Sequence, residues 1–195
     1  MQPKRVKKTN PKRSKAKGNS YELEIANLIK ARFIPKSVDP TIAKNLVHRT
    51  GLSGGRTERG DIIIQPPLLG YFKWFFECRN RESWSWANFF KDPENSVLVK
   101  WFLNDAVDKC HPYAGVHERW PLLVFTKTYE PNYYMAFMRD VCVYEEFKWH
   151  TEVKLPKTDE NVMVGEHRLI VGLFSDLLTH YEPPDPIIFE GLVFA

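Results

Sequence analysis

Cysteine is scarce in this 195-residue chain: Cys78, Cys110 and Cys142 are the only three, and no two stand at a zinc-holding spacing. Their odd number and wide separation exclude a disulfide framework and read as reduced thiols. Six histidines include no His-x-x-x-His pair, so a helix-borne zinc site is excluded as well. The glycine-rich run Gly51-Leu52-Ser53-Gly54-Gly55 is not followed by Gly-Lys-Ser/Thr, which removes a phosphate-cradling nucleotide loop. No apolar run is long enough to span a bilayer, and the N-terminus is too charged for a secretory signal. The expectation is a cytoplasmic protein with no membrane partner.

Acid is missing from the first 17 residues, while Lys4, Arg5, Lys7, Lys8, Lys12, Arg13, Lys15 and Lys17 give them a charge of +8. Since the whole chain is +4, the remainder is −4. A basic arm on a mildly acidic body is a phosphate-binding device, because each phosphate neutralised releases counterions; a solubilising tail has the same composition. With 43% hydrophobic and 14% aromatic residues the rest has ample material for a core. The organisation expected is therefore a disordered basic arm over residues 1–17 and one folded domain over 18–195.

Gly18-Asn19-Ser20 reads as the opening of a helix, with Tyr21, Ile25, Leu28, Ile29 and Phe33 as its apolar stripe and Pro35 as its end. Ile42 to Val47 has the composition to begin a strand. Ile62 to Ile64 is a short buried strand stopped by Pro66-Pro67, and Tyr71 to Cys78 is a longer one. The two look like a hairpin. In the second strand a period of two puts Phe75, Glu77 and Arg79 on one side and Phe72, Trp74 and Phe76 on the other. Helices are expected near 83–90 and 97–110, strands at 121–125, 133–138 and 169–174, a short helix at 175–180 and an extended Pro-rich tail from 181. This succession is that of an α/β domain around a small mixed sheet.

Chemistry concentrates in Arg59-Gly60-Asp61 and Phe76-Glu77-Cys78-Arg79-Asn80. An Asp at the mouth of one strand and a Glu on the next can share one hard divalent cation, with a cationic side chain two residues past the Glu beside the water or the phosphate. Glu22, one turn into the first helix, can add a third carboxylate. The same residues admit a plainer reading, in which Asp61 caps a turn and Glu77 pairs with Arg79 or Arg81. Trp84 and Trp86 have the chemistry to stack on bases, but their company of Phe89 and Phe90 favours core packing.

Four segments together carry a resemblance: Lys17-Gly18-Asn19-Ser20-Tyr21-Glu22, Arg49-Thr50-Gly51-Leu52-Ser53-Gly54, Gly60-Asp61-Ile62 and Glu77-Cys78-Arg79. They resemble the PD-(D/E)XK nuclease superfamily, and within it the Holliday junction resolvases and small phage-encoded endonucleases. Asn80-Arg81-Glu82-Ser83-Trp84 and Pro121 to Phe125 are similar to the phage type, and the likeness covers roughly residues 17–138. It implies a restriction-endonuclease-like three-layer core, a central mixed sheet flanked by helices. It implies a Mg²⁺-dependent endodeoxyribonuclease, with Mn²⁺ able to substitute, acting on branched DNA in the host cytoplasm as a homodimer, since two symmetric cuts need two sites. Asp61, Glu77 and Glu22 would hold the metal, and Arg79 would complete the catalytic set. Lys17, Arg49, Ser53, Arg56 and Arg59 would contact DNA. The departure is Arg79, where the family has Lys. Arginine can clamp a phosphate but is a poor base. Lys73, four residues before Glu77 and roughly 13 Å along the strand, cannot replace it. The alternative implied is a DNA-binding module of a phage with weakened or lost catalysis.

Overall fold

The computed structural model describes residues 11–50, 60–66, 68, 73–110, 119–141 and 168–181. The first helix, α1, runs Pro11–Phe33 and so starts well before the expected opening at Gly18. Residues 11–17, assigned by sequence to the disordered arm, are helical. Lysine and arginine are good helix formers, so a basic stretch extends a helix as readily as it frays from one. Tyr21, Ile25, Ala26, Ile29 and Phe33 form the buried stripe, whereas Leu28, expected in it, is 39% exposed.

Where a strand start was expected at Ile42, the chain forms α2, Pro40–Leu46. Asp39 caps it, accepting from the amides of Thr41 at 2.7 Å and Ile42 at 3.4 Å, and Pro40 occupies the first turn, where no amide is needed. The strand β1 is only Val47–Arg49, and it pairs antiparallel with β2, Ile62–Ile64. Ile62 to Ile64 is therefore not half of a hairpin with the next strand. β3, Trp74–Asn80, belongs to a separate four-stranded sheet.

That sheet is completed by β4 (Trp120–Thr126), β5 (Tyr133–Phe137) and β6 (Leu169–Leu173), in the order β3-β4-β5-β6. β3 and β4 are parallel, with Glu77 opposite Leu123 and Arg79 opposite Phe125; the other pairs are antiparallel. The crossover between β3 and β4 carries α3 (Trp86–Lys91) and α4 (Val97–Trp101), each capped by a serine, Ser85 and Ser96. α4 continues without a break into a π-helical segment, Phe102–Val107. The described residues also include two short helices, α5 (Met138–Val141) and α6 (Phe174–His180).

Period-two alternation divides the core between the two faces of the sheet. On one face Trp74, Phe76, Cys78, Leu122, Val124, Tyr134, Ala136 and Ile170 pack with α1 and α6 and with β1 and β2. On the other, Leu123, Phe125, Met135, Phe137, Leu169 and Val171 pack with Trp84, Phe89 and the α4–π helix. The result is three layers, a mixed sheet between helices, as in the restriction-endonuclease-like fold. Trp84 is buried in the second of these clusters, as the packing reading required. The tail from 182 onward lies outside the described residues.

Candidate active site

β3 is an edge strand, so its outer backbone groups need partners other than another strand. Asp61 supplies them. Its amide donates to the carbonyl of Phe76 at 2.8 Å, and its carboxylate Oδ2 accepts from the amide of Cys78 at 2.8 Å. The Asp61 carbonyl in turn accepts from the Thr50 amide at 2.9 Å, tying β1 to the same point. Gly60 makes this approach possible: its φ is +71°, and a Cβ there would lie 2.5 Å from the Phe76 carbonyl oxygen. Neither proline, whose φ is fixed near −65°, nor any residue with a Cβ fits that position without displacement.

With Asp61 held at Cys78, Glu77 and Arg79, which alternate onto the face covered by the α4–π helix, come near it. Arg79 Nη2 is 2.5 Å from Glu77 Oε1, and Arg79 Nη1 is 4.0 Å from Asp61 Oδ2. Glu77 is 1% exposed although charged, and it does not stand alone: Lys109 Nζ donates to both its oxygens, at 2.8 and 2.9 Å. Arg79 is also fixed from the far side by Asp105, whose Oδ2 accepts from Nε at 3.1 Å and lies 2.8 Å from Nη2. Neither Lys109 nor Asp105 was expected from sequence. Both lie in or just after the π segment, four residues apart, one over Arg79 and the other over Glu77, which are themselves two apart on β3. The readable signal was a helix over 97–110; which of its polar residues faces β3 follows only from packing.

Glu22 does reach the neighbourhood. It is half-buried on α1, accepts from Arg49 Nε at 3.2 Å, and its carboxyl is pushed up by burial and by the charge of Asp61. Burial also raises Asp61, against the Cys78 hydrogen bond and the charges of Arg79 and Lys109. Glu77 is raised to about 7, first by burial and then by Asp61, with Arg79 and Lys109 opposing. Burial works against the charge on Arg79, but Glu77, Asp105 and Asp61 outweigh it and hold the guanidinium above its ordinary value. The plainer sequence reading is thus present too: Glu77 does pair with Arg79, inside the site rather than on an exposed edge.

Among the described residues no three ligating side chains are gathered closely enough to hold a metal as they stand. The donor set nevertheless fits a hard cation. Glu22, Asp61 and Glu77 offer only oxygen, the least exposed of them is already compensated by two cationic side chains, and hard divalent ions fill the rest of their shell with water. Of the five residues expected to contact DNA, Arg49 pairs with Glu22 and Lys17 with Glu82 at 2.7 Å, so both have protein partners. Ser53, Arg56 and Arg59 lie outside the described residues. Lys73, just before β3, stands over the Trp120 ring, 5.6 Å from its centroid.

A family described as "phage putative PDDEXK endonuclease" matches residues 13–186. The chain belongs to this family. Neither a curated protein nor a solved structure matches it. As a phage nuclease of the PDDEXK class it has DNA as its substrate, and nucleases of this class generally use divalent metals. Among the described residues of this nuclease, no helix is long and apolar enough to cross a membrane.

Proposed function

We propose that this phage nuclease is a Mg²⁺-dependent endodeoxyribonuclease that cuts branched DNA, with Asp61 and Glu77 as the metal seat and Glu22 as an assisting carboxylate. The observation that carries the reading is the placement of Asp61 on the open edge of β3, where its carboxylate meets Glu77 through Arg79. A divalent cation bound there would lower the pKa of a coordinated water and oppose the charge that develops on the phosphate. Asp61 contributes a carboxylate oriented by the Cys78 amide. Glu77 contributes a carboxylate kept dry by the strand around it. Arg79, anchored on Asp105, steadies both acids. Glu22 is held by Arg49 at the rim, and Ser53, Arg56 and Arg59 are assigned to the DNA backbone beside it. The setting is the host cytoplasm, and a homodimer supplies the second cut that a four-way junction requires.

The test is cleavage of a four-way junction beside a linear duplex of matched sequence, with Mg²⁺ or Mn²⁺ and Asp61→Ala as control. Junction-selective cutting abolished by Asp61→Ala is expected. Equal rates on the two substrates would remove the branched-DNA assignment and leave the nuclease. One observation favours a second reading, a DNA-binding module without catalysis: the position two residues after Glu77 carries an arginine bound on several sides. A wild type inert with both metals, beside an Arg79→Lys variant that cuts, would establish that reading.

A further inference from the structure

The two cations on Glu77 are not equivalent. Arg79 is anchored by Asp105 through two nitrogens, and its Nη1 also donates to the Cys78 carbonyl at 3.2 Å; its side chain is 23% exposed. Moving it would strip Asp105 as well as Glu77, so it is part of the frame. Lys109 touches Glu77 alone among the described ion pairs, its side chain is 40% exposed, and it is a long flexible side chain just after the π segment. It holds both Glu77 oxygens, the same atoms a cation bound to Glu77 must take. Arg79 already shares one of these oxygens, so a further cation arriving at Glu77 competes with the ammonium for the remaining lone pairs.

We infer that Lys109 is the mobile cation of this site: its hold on Glu77 is a resting position, a divalent cation taking Glu77 releases it, and the freed ammonium then binds the scissile phosphate, while Arg79 is a fixed positioning residue. This rests on the reading of Asp61 and Glu77 as a metal seat. It assigns to a residue on the facing helix the free lysine that position 79 lacks. The displacement leaves the carboxylate neutralised, because a single positive charge leaves as a double one arrives, and a lysine stem can swing without disturbing the backbone. No proton or bond is exchanged with Lys109. Its work is charge placed beside the phosphate when the divalent ion is in place, which is where preorganised charge contributes most. Lys109 stands just after the π segment Phe102–Val107, and π turns are concentrated at functional sites.

Two readouts of opposite sign test this. Mn²⁺ binding to the DNA-free protein, followed by electron paramagnetic resonance, is expected to tighten about five- to tenfold in Lys109→Met, because the competing ammonium is gone. Single-turnover cleavage at saturating Mn²⁺ is expected to fall about 100-fold or more in the same variant, and Lys109→Arg is expected to recover most of that loss. If Lys109 only supports the shape of Glu77, Mn²⁺ binding weakens together with cleavage, and the inference is overturned. It is equally overturned if neither quantity changes. Lys109→Gln gives a second neutral variant should Lys109→Met prove unstable. Asp61→Ala separates the two levels. Cleavage surviving Asp61→Ala removes the metal seat itself, whereas cleavage lost in Asp61→Ala but normal in Lys109→Met removes only the role of Lys109.

Discussion

Replacing Gly60 with alanine should cost this nuclease both stability and its site, and the structure sets the size of the effect. A residue with a Cβ held near φ +71° carries a penalty of about 1–2 kcal/mol. The added Cβ would meet the Phe76 carbonyl oxygen at 2.5 Å and the Phe75 ring at 3.3 Å. The first is backbone inside a packed strand, so relief requires the chain to move, at a further cost of about 1–3 kcal/mol. A total of about 2–5 kcal/mol is a large share of a typical domain's stability of about 5–15 kcal/mol. The shift falls on the bonds from Asp61 to Phe76 and Cys78, so cleavage should fall along with the urea midpoint. Gly18→Ala is the internal control. Gly18 lies within α1, a Cβ there meets nothing within 4 Å, and the substitution should stabilise by about 0.5–1 kcal/mol. Urea unfolding of both variants, compared at equal m-values, measures the contrast. A Gly60→Ala protein within about 0.5 kcal/mol of wild type would refute the account of how Asp61 is set against β3.

Glu77 makes stability depend on pH in a known direction. Its folded pKa near 7 lies above the ordinary 4.5, so its contribution is fully present below 4.5 and is lost as pH rises through 7. Relative to Glu77→Gln, the metal-free wild type should lose up to about 3 kcal/mol across that window, measured by denaturation at fixed ionic strength; parallel curves would contradict it. Trp84→Ala should destabilise by about 3–5 kcal/mol, because the ring is 3% exposed and packs edge-on against Trp86, Phe125 and Tyr133. DNA affinity measured where the variant is still folded should be unchanged, and a clear loss there would return the ring to a role on bases. Deleting residues 1–10 removes Lys4, Arg5, Lys7 and Lys8 but spares α1. The slope of log binding constant against log salt should flatten by up to about 3–4, and an unchanged slope would disconnect those residues from DNA.

The alternation of β3 was legible because it is a strictly local property. Once Trp74 to Asn80 is extended, Glu77 and Arg79 must share a side, and they do. Among the described residues from Ser85 onward, the helices and strands were legible for the same reason, through serine caps and apolar periodicity. The start of α1 was misplaced because Gly18-Asn19-Ser20 has the composition of a cap, while the tie from Lys17 to Glu82 and Thr128 that occupies the turn before it joins residues 65 and 111 positions away. The supposed hairpin failed on a similar point. Sequence neighbours β2 and β3 do not pair, because β1 takes the edge of β2 and Asp61 takes the edge of β3.

By itself, then, the sequence determined an α/β chain and singled out Asp61, Glu77 and Glu22 as the acids proposed to hold a metal, since residue chemistry, strand period and motif spacing are written along the chain. Tertiary structure alone decided how those acids are neutralised. Lys109 and Asp105 lie 32 and 26 residues from the partners they meet, and only the docking of the α4–π helix against β3 selects them from the other polar residues of that helix. The arginine at position 79 is, in the folded chain, one of two cations on Glu77, the other being Lys109 from the facing helix, because charge balance in a buried site is a condition on space and not on spacing.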